Sequence, residues 1–392
     1  EENDIVDMQT YMLPPLHRAV MVNDIEAATT LIQEKVDVNA SMDRCTALHH
    51  AVANMHIGSV KLLLDADIER NTADKHGRTA IHIATETGNT DIVRMLLNDA
   101  KVDKDAVDKN DWSALHFASQ NGHAVVVGIL LKAGVKKDAC NKMQSTSLHL
   151  ASQNGHADVV SVLLSANVDV HARKKVTCTC KEIGHHNKIQ RAVIPLPSQH
   201  GLLIESVVTD EATREDERTS LHLAAIGGHA EVVNVLLGEA DIDAQDERGR
   251  TPLHLATFNG HIDIIRILVS NCNTEITDED KRTALHLASE YGYEEIVQVL
   301  LDAGANKEAE DEEEWTPLLL ATKHSHAKVV RVLCDAGVEL RPRKQDGWTA
   351  LRWANAEIKQ IILEAIERGK VKKKLAIADP SHCIKDVCPS ER

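Results

Sequence analysis

The sequence predicts an all-α solenoid of stacked helix-turn-helix units, and three observations carry that expectation. A phrase of the form T-x-L-H returns along the chain, clearest at Thr46-Ala47-Leu48-His49, Thr79-Ala80-Ile81-His82, Ser113-Ala114-Leu115-His116, Thr146-Ser147-Leu148-His149, Thr219-Ser220-Leu221-His222, Thr251-Pro252-Leu253-His254 and Thr283-Ala284-Leu285-His286. Weaker copies stand at Leu16-His17, Thr316-Pro317-Leu318-Leu319 and Thr349-Ala350-Leu351-Arg352, so the aligned fourth positions step by 32, 33, 34, 33, 73, 32, 32, 33 and 33 residues. Only nine residues are aromatic (Trp 4, Tyr 3, Phe 2), so Ala, Leu, Val and Ile must supply the buried surface, as close helix stacking requires.

Residues 1–12 precede the first copy as an N-terminal extension with no repeat character. The first repeat begins at Pro14-Pro15-Leu16 without an obvious preceding turn, which suits the water-facing end of a stack. Residues 246–271 give the clearest copy. Asp246-Glu247-Arg248-Gly249-Arg250 is a polar turn with Gly where a positive φ is expected. Thr251 offers a hydroxyl at the helix start, and Pro252 sits at the first helical position, where its missing N–H costs nothing. Leu253 to Phe258 make the first helix, Asn259-Gly260-His261 break it, and Ile262, Ile264, Ile265, Ile267 and Leu268 make the second.

The second helices are apolar at i, i+1, i+4 and i+5, as in Val159-Val160 with Leu163-Leu164 and Val232-Val233 with Leu236-Leu237. Such a helix is apolar on two sides, which makes sense if a repeat lies on each. Gly134, Gly304 and Gly337 follow second helices where a left-handed cap belongs. In the last copy Arg352 replaces the motif His, and Lys359, Gln360, Glu364, Glu367 and Arg368 spread over the second helix, as a C-terminal cap would have it.

A period of about 33 with this phrase resembles the ankyrin repeat. The resemblance covers nearly all of residues 13–369 in ten copies, and implies hairpin-like fingers projecting at right angles to the helix pairs. It further implies a bracing role for the motif His, bonded near its Thr and to neighbouring backbone, and a concave surface beneath the residue preceding that Thr.

The 73-residue step is one repeat plus 40 residues, so the extra segment, 173–217, is placed in a finger tip. Repeats one to six then occupy 13–172, repeats seven to ten 218–369, and a basic then irregular tail 370–392. Cys178, Cys180, His185 and His186 lie in the insertion as C-x-C-x₄-H-H. Four soft ligands so close together could bind Zn²⁺, but structural zinc sites separate each ligand pair by two or more residues, so an accidental cluster in a loop is the preferred reading. No metal or cofactor is expected.

Net charge is −16, with 60 acidic and 44 basic residues, which argues against general affinity for nucleic acid or anionic membrane. No stretch approaches the ~20 apolar residues of a membrane span. Eight irregularly placed cysteines do not read as a disulfide framework, so a reducing, cytoplasmic setting is expected. The 22 histidines are mostly periodic, whereas a catalytic residue would be singular, and no phosphate loop, nucleophile elbow or H-E-x-x-H helix is present. No enzyme is expected.

Binding is expected at finger tips and at the position just before the motif Thr. That position reads Arg78, Trp112, Arg218, Arg250, Arg282, Trp315 and Trp348 in seven copies, and these are the candidate contact residues, because Trp and Arg dominate interface hot spots. Finger charge also changes sign along the stack. Lys101, Lys104, Lys109, Lys136, Lys137 and Lys142 come early, whereas Asp278, Glu279, Asp280 and the run Glu310, Asp311, Glu312, Glu313, Glu314 come late. The expected function is a monomeric, non-catalytic scaffold for partner proteins. The rival readings are the cytosolic portion of a larger membrane protein such as an ankyrin-rich cation channel, for which the absence of an initiator Met suits a fragment, and a secreted ankyrin-rich toxin.

Overall fold

The architecture follows from how each unit starts and stops. In the computed structural model, Thr46, Thr79, Ser113, Thr146, Thr219, Thr251 and Thr283 each hold an extended backbone at a helix N-cap and form a reciprocal capping box with the His three residues on. The structure describes residues 13–177, 191–192, 206–207, 215–340, 350–369 and 372–373. The N-terminal extension, Trp348, most of the tail, and Cys178, Cys180, His185 and His186 lie outside the described residues.

Among the described residues twenty helices form ten antiparallel pairs. The pairs are α1 Pro15–Met21 with α2 Ile25–Gln33, α3 Ala47–Ala53 with α4 Ile57–Asp65, α5 Ala80–Thr87 with α6 Thr90–Asn98, and α7 Ala114–Gln120 with α8 Ala124–Lys132. They continue as α9 Ser147–Gln153 with α10 Ala157–Ser165, α11 Ser220–Gly227 with α12 Ala230–Leu236, and α13 Pro252–Phe258 with α14 Ile262–Leu268. The last three are α15 Ala284–Tyr291 with α16 Glu294–Asp302, α17 Pro317–Lys323 with α18 Ala327–Asp335, and α19 Ala350–Trp353 with α20 Ala356–Glu367. First helices pack on first helices and second on second, each against its neighbours in sequence. The predicted all-α solenoid is what the sequence builds.

One continuous core runs through the stack. Val159, Val160 and Leu163, then Val232, Val233 and Leu236, then Ile264, Ile265 and Leu268 are almost wholly buried. The fourth apolar position, Leu164 or Leu237, is only half-buried. Three of the four expected positions therefore bear the packing, with roughly 1.5–3 kcal/mol of burial from each large residue. The last helix departs as a cap should: Ile358, Ile361, Ile362 and Ala365 are buried on one face, and Lys359, Gln360 and Glu367 face water on the other.

Glycines hold the turns where the backbone demands them. Gly134, Gly304 and Gly337 adopt φ of 73°, 87° and 77° behind their helices. Gly88, with φ of 74°, lies under the His123 ring, and a Cβ there would stand 2.6 Å from imidazole atoms.

Strands are short, two to four residues each among the described residues. β1 Ser41–Met42 pairs antiparallel with β2 Cys45–Thr46. At the interrupted finger β3 Lys174–Thr177 pairs antiparallel with β6 Glu215–Arg218, Lys174 opposite Arg218. β4 Arg191–Ala192 pairs with β5 Ser206–Val207, and β7 Glu339–Leu340 pairs in parallel with β8 Lys372–Lys373.

Candidate functional site

The motif histidines tie consecutive repeats to one another and, in doing so, fix the backbone of the candidate contact residues. In His149 the Thr146 N–H donates to Nδ1 at 3.2 Å and the Thr146 hydroxyl lies 2.8 Å from the same nitrogen. Nδ1 is thus the acceptor and Nε2 carries the proton. That Nε2–H reaches a carbonyl of the next repeat. The acceptor is Arg78 for His49, Ser145 for His116, Arg218 for His149, Arg250 for His222 and Arg282 for His254, at 3.0–3.2 Å. His286 reaches Trp315 at 3.2 Å and Ala309 at 3.0 Å. Burial leads in lowering these imidazoles, taking His116, His149, His222 and His286 down to about 4. They are neutral bracing groups, as the resemblance implies.

A second set reaches backwards. Nε2 of His123, His156, His229, His261 and His326 donates to the carbonyls of Glu86, Gln120, Gln153, Ile226 and Glu290 in the preceding repeat, at 2.8–3.1 Å. The repeats carrying both histidines are therefore pinned in both directions by imidazoles at two periodic positions. His17 differs: Pro14 stands where the Thr would be, and its buried Nδ1 has no hydrogen-bond partner among the described residues.

Sequence reading missed, in six repeats, the residue four before the one that precedes the motif Thr. Asp74, Asp108, Asn141, Asp246, Asp278 and Asp311 recur there, and the Oδ1 of each accepts backbone N–H bonds from the residues two and four further on. Those bonds close the finger turn below the candidate side chain. The signal was present as D-x-x-x-[R/W] at the repeat period.

These aspartates also take the arginines. Arg78 bonds Asp74 at 3.0 Å and Glu86 at 2.9 Å. Arg250 bonds Asp246 at 2.7 Å through NH2 and 2.9 Å through Nε. Arg282 meets Asp278 at 3.0 Å, Asp280 at 2.9 Å and Glu290 at 3.9 Å. Arg218 lies 4.0 Å from Asp246 of the next repeat. Burial alone would raise Asp246, but the Arg250 charge and hydrogen bonds outweigh it and hold the carboxyl below its ordinary value. Asp311, with Trp315 in place of an arginine, is instead raised by burial. Arg78 and Arg282 span from a finger base to a first helix, half-buried and fixed in direction.

The tryptophans divide. Trp112 is half-buried, its ring 5.2 Å from Phe117. Trp315, read from the sequence as solvent-facing, is only 5% exposed. Trp353 lies 5.9 Å from its ring, Lys323 stands 4.5 Å over its face, and Glu313 accepts its indole N–H at 3.0 Å. The C-terminal cap covers it, a contact no single-repeat reading foresees.

Much of the finger charge is likewise spent between repeats. Lys109 and Lys142 donate to the carbonyls of Lys75 and Lys109 in the preceding finger, at 2.6 and 2.5 Å. Asp105, Asp138, Asp243 and Glu275 accept backbone N–H bonds from Lys136, Asp169, Asn273 and Asn306 in the next. The fingers are stitched edge to edge.

The family described as "Ankyrin repeats (3 copies)" matches residues 16–108, 100–174, 200–280, 221–311 and 285–369. The protein is similar to the putative ankyrin repeat protein FPV223 of fowlpox virus, at 31% identity over 24% of its own length and 66% of that protein. It is similar to delta-latroinsectotoxin-Lt1a of Latrodectus tredecimguttatus, at 37% identity over 20% of its own length and 7% of the toxin. It is also similar to the human transient receptor potential cation channel subfamily A member 1, at 33% identity over 23% of its own length and 8% of the channel. In each case the match spans less than two thirds of the relative's length.

Proposed function

The chain belongs to the ankyrin-repeat family, and on that premise we propose that it is a non-catalytic, monomeric scaffold that holds partner proteins against its finger tips and the face formed by finger bases and first helices. One observation carries the proposal. The motif histidines fix the backbone under Arg78, Arg218, Arg250 and Arg282 with the same bond, so guanidinium side chains are presented at one repeated place. Identical bracing beneath a repeated display is what recognition by a repeat stack requires. Prior ordering of the arginines by Asp74, Asp246 and Asp278 lowers the entropy lost on binding.

The test is capture of proteins from a cell extract by the intact protein and by a variant with Trp112→Ala, Arg282→Ala and Trp348→Ala, with helix content and unfolding compared by circular dichroism. Loss of specific captured proteins from a folded variant supports the contact face. Identical recovery of every captured protein sinks it.

A second reading is favoured by the toxin and channel matches, which place similar repeats inside much longer proteins. Here the same stack is one portion of a larger toxin or membrane protein. Among the described residues no helix is long and apolar enough to cross a membrane. A full-length coding sequence decides, since a spanning segment beyond Arg392, or a secretory leader before Glu1, assigns the stack to that context. A reducing, intracellular compartment belongs to the scaffold reading, and the unpaired Cys45, Cys140, Cys272 and Cys334 support it.

A further inference from the structure

The repeat of α15 and α16 breaks the loop pattern that its neighbours keep. Where His123, His156, His229, His261 and His326 brace the preceding repeat, Tyr293 stands, and its hydroxyl reaches the Phe258 carbonyl only at 3.5 Å. Phe258 itself occupies the place of Glu86, Gln120, Gln153 and Glu290, and Tyr291 that of Asn121, Asn154 and Asn259. Three aromatic residues, in a chain that has nine, thus replace polar or bracing ones in two adjacent repeats. They also converge. The Phe258 and Tyr291 rings meet edge to face at 5.2 Å, and Tyr291 stacks on Tyr293 at 6.0 Å. Leu285, Ala288, Val297 and Leu300 carry the packing of this repeat, whereas Tyr291 lies outside that core and is 42% exposed.

The chain around this ring is acidic. Glu290 precedes it, Glu294 and Glu295 follow within four residues, and Asp263 holds the place of Glu295 in the preceding repeat. Glu290 faces Arg282 at 3.9 Å and Glu294 faces Lys328 at 3.4 Å. Asp263 and Glu295 are exposed and make no ion pair among the described residues. Burial first, then the Glu290 charge, push the Tyr291 hydroxyl up, and the Arg282 charge offsets the second only in part. Lys323 stands over the Trp315 ring, but among the described residues no cation stands over Tyr291.

We propose that Tyr291, held between Phe258 and Tyr293 and followed by the Glu295 carboxylate, docks an arginine side chain from a basic segment of a partner protein. The site rests on the scaffold reading and adds a contact that no residue preceding a motif Thr provides. A ring face attracts a cation through its quadrupole, and a guanidinium both stacks on that face and pairs with a carboxylate. An uncharged apolar occupant would desolvate the neighbouring carboxylates without compensation. The two flanking rings fix Tyr291 in advance, so little side-chain freedom is lost on contact.

The probes are three peptides of one length, blocked at both ends, alternating Gly with Arg, with citrulline or with Pro, and followed by fluorescence anisotropy at physiological ionic strength. The intact protein is expected to prefer Arg to citrulline, which keeps the shape without the charge. Tyr291→Leu, which keeps apolar bulk without a π face, should bind the Arg peptide about three- to tenfold more weakly, the range of one cation–π contact. Glu295→Gln should weaken it as well and serves if Tyr291→Leu misfolds by circular dichroism. Glu247→Gln, which removes an exposed carboxylate from a finger, should leave the affinity unchanged. Equal affinity for the Arg and citrulline peptides overturns the site. So does an Arg preference that survives in folded Tyr291→Leu, since diffuse negative charge then gathers the peptide. A Pro peptide bound more tightly than the Arg peptide, and released by Tyr291→Leu, overturns it in favour of an apolar occupant. Protein capture that depends on Trp112, Arg282 and Trp348, with no Arg preference among the peptides, removes this site and leaves the scaffold reading standing. Capture unaltered by those three substitutions, with an Arg preference that Tyr291→Leu abolishes, removes the other contact face and leaves this site.

Discussion

Nε2 of His149 donates to the carbonyl of Arg218 at 3.2 Å, across 69 residues of sequence. The same bond joins His222 to Arg250 over 28 residues at 3.0 Å. The stack therefore closes over its interruption with the hydrogen bond that His49, His116, His222 and His254 also make. The backward bond is kept as well, from His229 to Gln153 at 3.0 Å. Removing the forward bond should expose how much the junction depends on it. His149→Ala leaves the Thr146 N–H and the Arg218 carbonyl without their imidazole, and each orphaned buried group costs about 1–3 kcal/mol. Chemical denaturation is expected to show that loss, together with earlier hydrogen exchange around α9 and α11 than elsewhere. An unchanged midpoint would mean that water replaces the ring.

Acidification should weaken the whole stack. His116, His149, His222 and His286 sit at about 4 in the fold because burial penalises their charged form, against an ordinary value of 6.5. Between those values the unfolded state binds protons that the folded state does not, so folding is favoured above pH 6.5 and the advantage is lost as pH falls toward 4. Each such histidine contributes a slope of about 1.4 kcal/mol per pH unit inside the window. Urea midpoints measured from pH 7 to pH 4 should fall steeply, and substituting one of these histidines should flatten the fall.

The Asp246 carboxylate should matter more than the arginine it holds. Asp246 closes the finger turn through the N–H groups of Arg248 and Arg250 at 3.0 and 2.9 Å, besides pairing with Arg250. Asp246→Ala strands those two backbone donors and removes a partner of the Arg250 guanidinium, with about 1–3 kcal/mol lost for each orphaned donor. Arg250→Ala leaves a buried carboxylate still accepting two N–H bonds and costs less. Because Asp246 is held below its ordinary value, its share is complete above the usual carboxylate range and disappears as pH falls through the depressed one. Denaturant melts of the two variants at neutral pH give the order.

Gly88 shows a tighter constraint between neighbours. Its φ of 74° is open to glycine, and the space a Cβ would need is filled by the His123 ring at 2.6 Å. Gly88→Ala is charged twice, about 1–2 kcal/mol for the left-handed backbone and more for pushing aside a ring bonded to the Glu86 carbonyl. Hydrogen exchange in α5 and α8 should quicken. The companion change Gly304→Ala, with nothing within 4 Å of the added carbon, should cost the backbone share alone.

The period legible in T-x-L-H sufficed to place every helix pair, because a repeat that buries its faces only on its neighbours must advertise both faces in sequence. Thr251 and Pro252 could be given their structural places from spacing and residue type alone, and His254 its place from the family resemblance. The candidate face was less legible. That Arg78, Arg250 and Arg282 stand one per repeat was visible; that Asp74, Asp246 and Asp278 hold them was a four-residue spacing lost among many finger charges. The burial of Trp315 could not be read, since it depends on Trp353 from the following repeat. Lys174 gains meaning only once it is aligned with those aspartates.

That alignment yields a deletion. Where the Asp246 backbone N–H bonds the Arg250 carbonyl across a short turn, Lys174 lies opposite Arg218 in register, with 40 additional residues between them. Replacing residues 174–217 by the turn Asp246-Glu247-Arg248-Gly249 copied from the intact finger should leave His149 within reach of the Arg218 carbonyl and set a carboxylate beside Arg218 where Lys174 stood. A loop some tenfold longer costs about 2 kcal/mol more to close, since each doubling adds about 0.6 kcal/mol. The shortened protein is therefore expected to keep its helix content and unfold at equal or higher temperature. A shortened protein that melts earlier would mean that the inserted residues hold repeats six and seven together, and the finger register would then no longer account for the junction.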